Sequence, residues 1–222
     1  MRDFRDDGYD PIAVRHVYDE MAADYVVRFG SDLADQNPDT EFLDLAAAGF
    51  PSGPVIDLGC GPAQVGQYLI GRGHQVIGID FAPAMLAVAA KLVPQASLIA
   101  ADLLALPLRA GSCAAIVASY SLHHLPKARL PGALAQFGRI LRPDGVLVIV
   151  THGGSSQELL DRPGGPIVLS RYSSNELAGL MSAAGFTPEH LGTRPPRTGE
   201  FPAEKLRISA RRRPATPVGV PR

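Results

Sequence analysis

The chain has 222 residues, 46% of them hydrophobic, with 21 Lys and Arg against 22 Asp and Glu and a formal net charge of -1. That length suits one domain with a sizeable core, and the balance of charge argues against nucleic-acid binding driven by phosphate neutralisation. No run approaches the ~18 apolar residues that a bilayer span needs.

The N-terminal MRDFRDDGYDP is charged and has no apolar stretch, so no signal peptide is read there. Ile12–Phe29 carries Val14, Val17, Met21, Tyr25 and Val26 at helical spacing. A second helix is expected over Pro38–Ala48. Then strand and helix alternate: strand Val55–Leu58, helix Gln64–Arg72, strand Gln75–Asp80, helix Pro83–Leu92 with a proline in its first turn, and strands Ser97–Ala101 and Cys113–Ser119. A helix over Pro126–Leu141, a turn at Arg142-Pro-Asp-Gly145 and the apolar strand Val146–Thr151 follow. Nearly all-apolar strands in this alternation predict a parallel sheet covered on both faces. His152–Ser170, rich in Gly, Ser and Pro, reads as a loop or small insertion. Ser173 or Ser174 caps a helix through Ala184 that ends at Gly185. Phe186–Leu191 and Lys205–Arg212 read as two final strands, and the tail from Pro214 as disordered. Cys60 and Cys113 sit in apolar surroundings and read as packing residues in a reducing compartment, with a cytoplasmic location expected.

The most informative segment is Val55-Ile-Asp57-Leu-Gly59-Cys60-Gly61-Pro-Ala63-Gln64, a strand that ends in an acid and enters a glycine turn. Glycines there permit a tight turn and close approach to a ligand. Asp57 repels a phosphate and attracts an ammonium, so the turn suits a nucleoside that also bears an amino acid. A dinucleotide fingerprint fits at Gly59 and Gly61 but meets Gln64 at its third position. A P-loop fits at Gly61 and Gly66 but lacks the lysine, since Gln67-Tyr68 follows. A plain strand–helix turn is the reading without a ligand. Asp80 ends the second strand, where open α/β sheets bind ligands. A carboxylate there accepts ribose hydroxyls, or caps the helix that starts at Pro83. Asp102 follows the third strand and is otherwise a loop acid.

Asp57-Leu-Gly59-Cys-Gly61-Pro-Ala63 resembles the D/E-x-G-x-G-x-G turn of class I S-adenosylmethionine (SAM) methyltransferases. Ala63 stands at the third glycine and adds a methyl group beside the expected ligand. Ser119-Tyr-Ser-Leu-His-His-Leu125, Arg139-Ile-Leu-Arg-Pro-Asp-Gly145, Tyr172 to Phe186 and Val17-Tyr-Asp-Glu-Met-Ala-Ala-Asp-Tyr25 resemble further segments of the small-molecule members, in order, over roughly Val14–Arg212. The resemblance implies an α/β, Rossmann-like fold. Its seven-stranded, mostly parallel sheet has order 3-2-1-4-5-7-6, with strand seven antiparallel and helices on both sides. It implies an N-terminal helical lid over residues 1–50, a SAM-binding domain over 51–213 and a tail over 214–222. It implies SAM as cofactor, S-adenosylhomocysteine (SAH) as product and in-line methyl transfer to O, N or C of a small molecule. No metal, nucleic acid or membrane is implied, and the chain is expected as a monomer or homodimer. The implied cofactor-binding residues are Asp57, Gly59, Cys60, Gly61, Asp80, Phe81, Met85, Asp102, Leu103, Ser119 and Tyr25. Asp102 is expected at the adenine amine, with the Leu103 backbone at the ring edge.

His123 and His124 are the candidate general bases, because they follow strand four and histidine titrates near neutrality. Either is otherwise structural, His124 by bonding a neighbouring loop. No Cys, Asp or Glu set at metal spacing accompanies them. His152 is a second pocket candidate or a loop residue. Tyr18 and Tyr25 share one helix face and either contact SAM and the acceptor or pack on the core. Arg194 and Glu200 meet a polar acceptor or form a solvated surface pair. Arg211-Arg-Arg213 suggests RNA or merely solubility. Two other functions stay open: a SAM- or SAH-binding regulator without catalysis, and an RNA methyltransferase. Ser119-Tyr-Ser-Leu in place of [N/D]-P-P-[Y/F] disfavours methylation of base amino groups.

Overall fold

The computed structural model describes residues 9–29, 38–162 and 165–214. In chain order the elements are α1 (Pro11–Phe29), α2 (Pro38–Ala47), β1 (Val55–Leu58), α3 (Gln64–Ile70), β2 (Val76–Asp80), α4 (Pro83–Leu92), β3 (Ser97–Ala100) and β4 (Cys113–Ser119). A 3-10 turn at Leu122–His124 leads to α5 (Leu130–Ile140), β5 (Leu141–His152), β6 (Gln157–Leu160), β7 (Ile167–Ser170), α6 (Ser174–Ala183), β8 (Phe186–Arg194) and β9 (Lys205–Arg212).

Seven strands form one sheet in the order β3-β2-β1-β4-β5-β9-β8. β1 to β5 pair in parallel, while β9 runs antiparallel to both β5 and β8. This is the order that the resemblance implied, with β8 and β9 as its sixth and seventh strands. β1 is buried at every position and β4 at all but its last, as strands covered on both faces must be. Alternate residues supply the two faces. Ile56, Leu58, Ile116 and Leu147 pack with Leu134 and Phe137 of α5, whereas Val55, Val117 and Val148 pack with Phe42 of α2 and Leu69 of α3.

Two local expectations need correction. His152–Ser170 is no plain loop: β6 and β7 pair as an antiparallel hairpin, Gln157 opposite Ser170. Its flanking Gly and Pro and the polar start of β6 hid four-residue strands. The Arg142–Gly145 turn lies inside β5, which starts at Leu141; Asp144 takes φ 64° where the pairing skips from Leu141 to Val146.

α1 packs across α4, with Ala22 against Ala82 and Met85. Asp19 Oδ1 accepts the Ala84 N–H at 2.9 Å. Ala82, the N-cap residue of α4, supplies no side-chain cap, so α1 provides one. Cys60 and Cys113 are buried and unbridged. No described helix is long and apolar enough to cross a membrane. The expected disorder of the tail falls, from residue 215 onward, outside the described residues.

Candidate active site

The carboxyl ends of β1, β2 and β3 carry an acid-lined edge. The Gly59 and Cys60 N–H groups both donate to the Ile79 carbonyl, at 2.7 and 3.0 Å, which folds the turn back over β2. Gly59 and Gly61 have φ 68° and 51°. They differ in purpose. A Cβ on Gly59 would stand 2.3 Å from Ser121 Cβ, whereas one on Gly61 would meet nothing within 4 Å. Gly59 thus lets the loop after β4 close against the turn, and Gly61 leaves a bare stretch of backbone facing open space.

Each expected acid anchors backbone. Asp80 Oδ2 accepts the Gly61 N–H at 2.8 Å and its Oδ1 the Ala82 N–H at 2.9 Å. Asp57 Oδ2 accepts the Gly66 N–H at 2.8 Å, in the first turn of α3. Asp102 Oδ1 accepts the Leu104 N–H at 2.8 Å. A carboxylate offers about four lone pairs, so these bonds orient the groups without exhausting them. Burial pushes the Asp57 carboxyl up to about 7, against the pull of the Gly66 N–H. Burial also raises Asp80, opposed by the N–H groups of Ala82, Gly61 and Phe81. Among the described residues no cation acts on either acid. An acidic edge of this kind, beside bare glycine backbone, fits a nucleoside ligand that carries positive charge.

The other expected cofactor residues are placed less uniformly. Phe81, Leu103 and Ser119 are half-buried, and Ser119 pairs with Val150 at the end of β4. The Cys60 thiol is packed against Gly78 and donates to the Gly61 carbonyl at 3.6 Å. Met85 is 1% exposed and fills the seam between α1 and α4, which the half-buried Tyr25 also lines. Ala63 corrects an expectation. It takes φ 63°, is fully buried and packs with Ala89 and Val93. Its methyl group enters the core and does not stand beside a ligand.

The ends of β4, β5 and β9 hold a second cluster. A chain of rings crosses this end: Tyr25 to Tyr18 at 6.4 Å between centroids, Tyr18 to His124 at 5.5 Å, His124 to His123 at 4.0 Å and His123 to His152 at 5.1 Å. Tyr120 and Phe201 continue it, at 5.3 and 4.9 Å from His152. The three histidines are not equivalent. His124 Nδ1 lies 2.7 Å from the Val168 carbonyl, which only accepts, so Nδ1 carries the proton and Nε2 accepts the Tyr18 hydroxyl at 2.8 Å. Lys205 Nζ donates to His152 Nδ1 at 3.3 Å and to the Phe201 carbonyl at 2.8 Å. His123 Nδ1 is sealed from solvent with no hydrogen-bond partner among the described residues. Burial pushes His124 down to about 4 and His152 to about 3, the latter helped by the Lys205 charge, and holds His123 well below the usual range. All three are neutral at pH 7.

Arg194 and Glu200 are not a solvated pair. Arg194 is 8% exposed. Its five N–H donors bond Asp39 at 2.9 and 2.6 Å, Glu200 at 2.8 and 2.9 Å and the Pro195 carbonyl at 3.2 Å. It therefore clamps α2 to the end of β8. Sequence reasoning gave no role to Tyr120, Ser121, Lys205 or Phe201. Tyr120 takes φ 50° and bonds Asp39 through its hydroxyl at 3.2 Å, a strained turn of the sort that gathers at functional sites. Among the described residues, no group of three or more His, Cys, Asp or Glu has a metal-holding arrangement.

The family model described as a methyltransferase domain matches residues 55–145. An uncharacterized methyltransferase of Synechocystis sp. is 30% identical over 145 residues, 62% of this chain and 68% of that protein. The mouse tRNA (carboxymethyluridine(34)-5-O)-methyltransferase is 29% identical over 200 residues, covering 89% of this chain but 28% of that protein. The chain spans about half the length of several other curated relatives, 41% to 51%. Among solved structures, the Burkholderia thailandensis 1,6-didemethyltoxoflavin-N1-methyltransferase, with its substrate and SAH bound, superposes with a TM-score of 0.64 at 22% identity, covering 93% of each chain. The strand order, the acid-and-glycine turn and these matches agree, and the chain belongs to the class I SAM-dependent methyltransferases.

Proposed function

We propose that the protein methylates a small-molecule acceptor held over the ends of β4, β5 and β9. The observation that carries this reading is that the acidic glycine turn and the ring cluster share one sheet edge, with α1 packed on α4 around Met85 and bonded to His124 through Tyr18. The Burkholderia enzyme, solved with 1,6-didemethyltoxoflavin and SAH bound, supports it. When bound, SAM supplies a sulfonium-activated methyl group. The chain's task is then mainly to hold both reactants in attack geometry and to exclude water.

In this reading Asp80 accepts the ribose hydroxyls, Asp102 the adenine amine, and Gly61 exposes backbone to the amino-acid end. Asp57, bonded to α3, acts on the ammonium through space. α1 and α2 form a lid, with Tyr18 and Tyr25 on its inner side. His123 faces the acceptor and takes the hydrogen bond of its nucleophile at Nδ1. His124 is a positioning residue, because both of its nitrogens are engaged. The low basicity of all three imidazoles makes His123 a hydrogen-bond acceptor that orients the nucleophile rather than a store for its proton, which the methylated product gives up to solvent on release.

The similarity to a tRNA methyltransferase favours RNA as a second reading. The arginines oppose it. Arg211 bonds Glu189 and the Gly49 and Asp144 carbonyls, Arg212 the Leu141 carbonyl and Arg213 the Ser182 carbonyl. The concavity that Arg212 and Arg213 line with Arg139 is thus built from guanidinium groups already bound to the protein. Incubation with methyl-labelled SAM and host extract, followed by mass identification, tests the proposal. Label in a small molecule supports it, label in RNA favours the second reading, and SAM binding without transfer favours a regulator.

A further inference from the structure

We propose that the acceptor is an uncharged, planar ring compound that gives an N–H or O–H hydrogen bond to His123. The inference rests on the methyltransferase reading and specifies what the acceptor end selects.

Shape comes first. Tyr18, Tyr120 and Phe201 are half-buried, and the buried imidazoles between them join them into a continuous series of rings inclined 43° to 66° to one another. Aromatic rings of a ligand stack offset or edge-on against such faces at centroid separations of 4.5–7 Å.

Charge comes second. Arg194 has no donor left, and the carboxylates of Asp39 and Glu200 are its partners. Lys205 is 2% exposed, bonds His152 and Phe201 and lies 3.9 Å from Glu200. Among the described residues, a carboxylate or phosphate entering this wall loses its water and gains no uncommitted cation in exchange, and an ammonium gains no uncommitted anion. Arg162 acts on Tyr18 and His124 and Arg171 on His152, but Arg162 is exposed, where solvent and salt screen its charge, and Arg171 is bonded to Ser156 and Glu158.

Hydrogen bonding comes third. Within the histidine cluster, Tyr18 and Val168 occupy His124, and Lys205 occupies His152 Nδ1. Among the described residues, His123 Nδ1 is buried without a partner, as is Ser121 Oγ nearby in the same loop. A buried polar atom left unpaired is a standing penalty that a matching ligand donor removes. A ligand with the donor is therefore favoured over the same ring without it.

Four probes on one ring test this: 2-naphthol, naphthalene, 2-naphthoate and 2-naphthylmethylammonium, titrated calorimetrically at pH 7 into SAH-saturated protein. 2-Naphthol is expected to bind at least tenfold more tightly than each of the other three. In His123→Phe the advantage of naphthol over naphthalene disappears while naphthalene binding stays within about threefold. Tighter binding of either charged probe, or no binding of any probe, overturns the acceptor class. So does an unchanged naphthol preference in His123→Phe. The wild-type series decides the matter if that variant does not fold. Failure of the wild-type protein to bind SAH would instead remove the methyltransferase reading itself, which separates the two failures.

Discussion

The Tyr18 hydroxyl donates to His124 Nε2 at 2.8 Å while His124 Nδ1–H donates to the Val168 carbonyl at 2.7 Å. One imidazole, fixed in one tautomer, therefore ties α1 to the β6–β7 hairpin across the end of β4. Tyr18→Phe removes one bond and leaves the ring. It is expected to lower stability by about 1 kcal/mol, the usual worth of a buried hydrogen bond. SAM affinity is expected to weaken by roughly three- to tenfold, because part of the helix docking is lost. Thermal unfolding and calorimetric titration check both figures, and a variant indistinguishable from wild type in both would refute the coupling.

The two turn glycines are expected to fail in different ways. Gly59→Ala forces a methyl group onto Ser121 at φ 68° and should cost about 3 kcal/mol or more, an overpacking penalty added to backbone strain. Gly61→Ala at φ 51° meets open space and should cost only about 1 kcal/mol. Its SAM affinity should nevertheless fall more than tenfold, because the methyl group occupies the cradle. Unfolding curves and SAM titrations on both variants separate packing from binding. Gly61→Ala with unchanged affinity would remove the cradle from the site.

Asp57 sets a pH dependence. Its carboxyl is raised to about 7 by burial, above the ~3.9 of an unfolded aspartate. The unfolded chain releases this proton first as pH rises, so the contribution to stability is complete below about 4 and is lost as pH climbs through 7. Asp57→Asn keeps an oxygen for the Gly66 N–H and removes that loss. In the ligand-free protein its unfolding midpoint should rise relative to wild type at pH 8, and by clearly less at pH 5. Equal shifts at the two pH values would contradict the assignment.

Arg194→Met leaves Asp39 buried opposite an apolar side chain, and breaking a buried pair in this way costs about 3–5 kcal/mol. Arg194 and its neighbours hold Glu200 down at about 2 against the opposing effect of burial, below the ~4.3 of an unfolded glutamate. That stability is present above pH 4.3 and lost as pH falls toward 2. Denaturant titrations between pH 6 and 3 should show a smaller acid loss in Arg194→Met than in wild type. Parallel curves would show that the clamp contributes no pH dependence.

The sheet was legible because β1, β2, β4 and β5 are short apolar runs between turn residues, and burial on both faces leaves that pattern in any sequence. The acids at the strand ends were legible for the same reason, since strand ends locate them. The acceptor end was not. His123 and His124 were visible as a pair, but their difference depends on Tyr18, 106 residues from His124, and on Val168, 44 residues away. Arg194 reads as a surface residue until Asp39, 155 residues distant, is brought against it. Ala63 misled because its place in the motif suggested the ligand, whereas its left-handed backbone turns the methyl group inward.

The bond from Ala84 N–H to Asp19 has a kinetic meaning. α4 begins without a cap of its own, so its first turn is complete only while α1 lies across it. If α1 swings away to admit or release cofactor, that turn loses its acceptor and frays, and the wall bearing Phe81 and Met85 loosens with it. Entry and wall order then become one cooperative event, opposed by about 1 kcal/mol from the cap. Asp19→Ala should accordingly speed cofactor exchange in both directions while leaving the residues proposed to hold the cofactor in place.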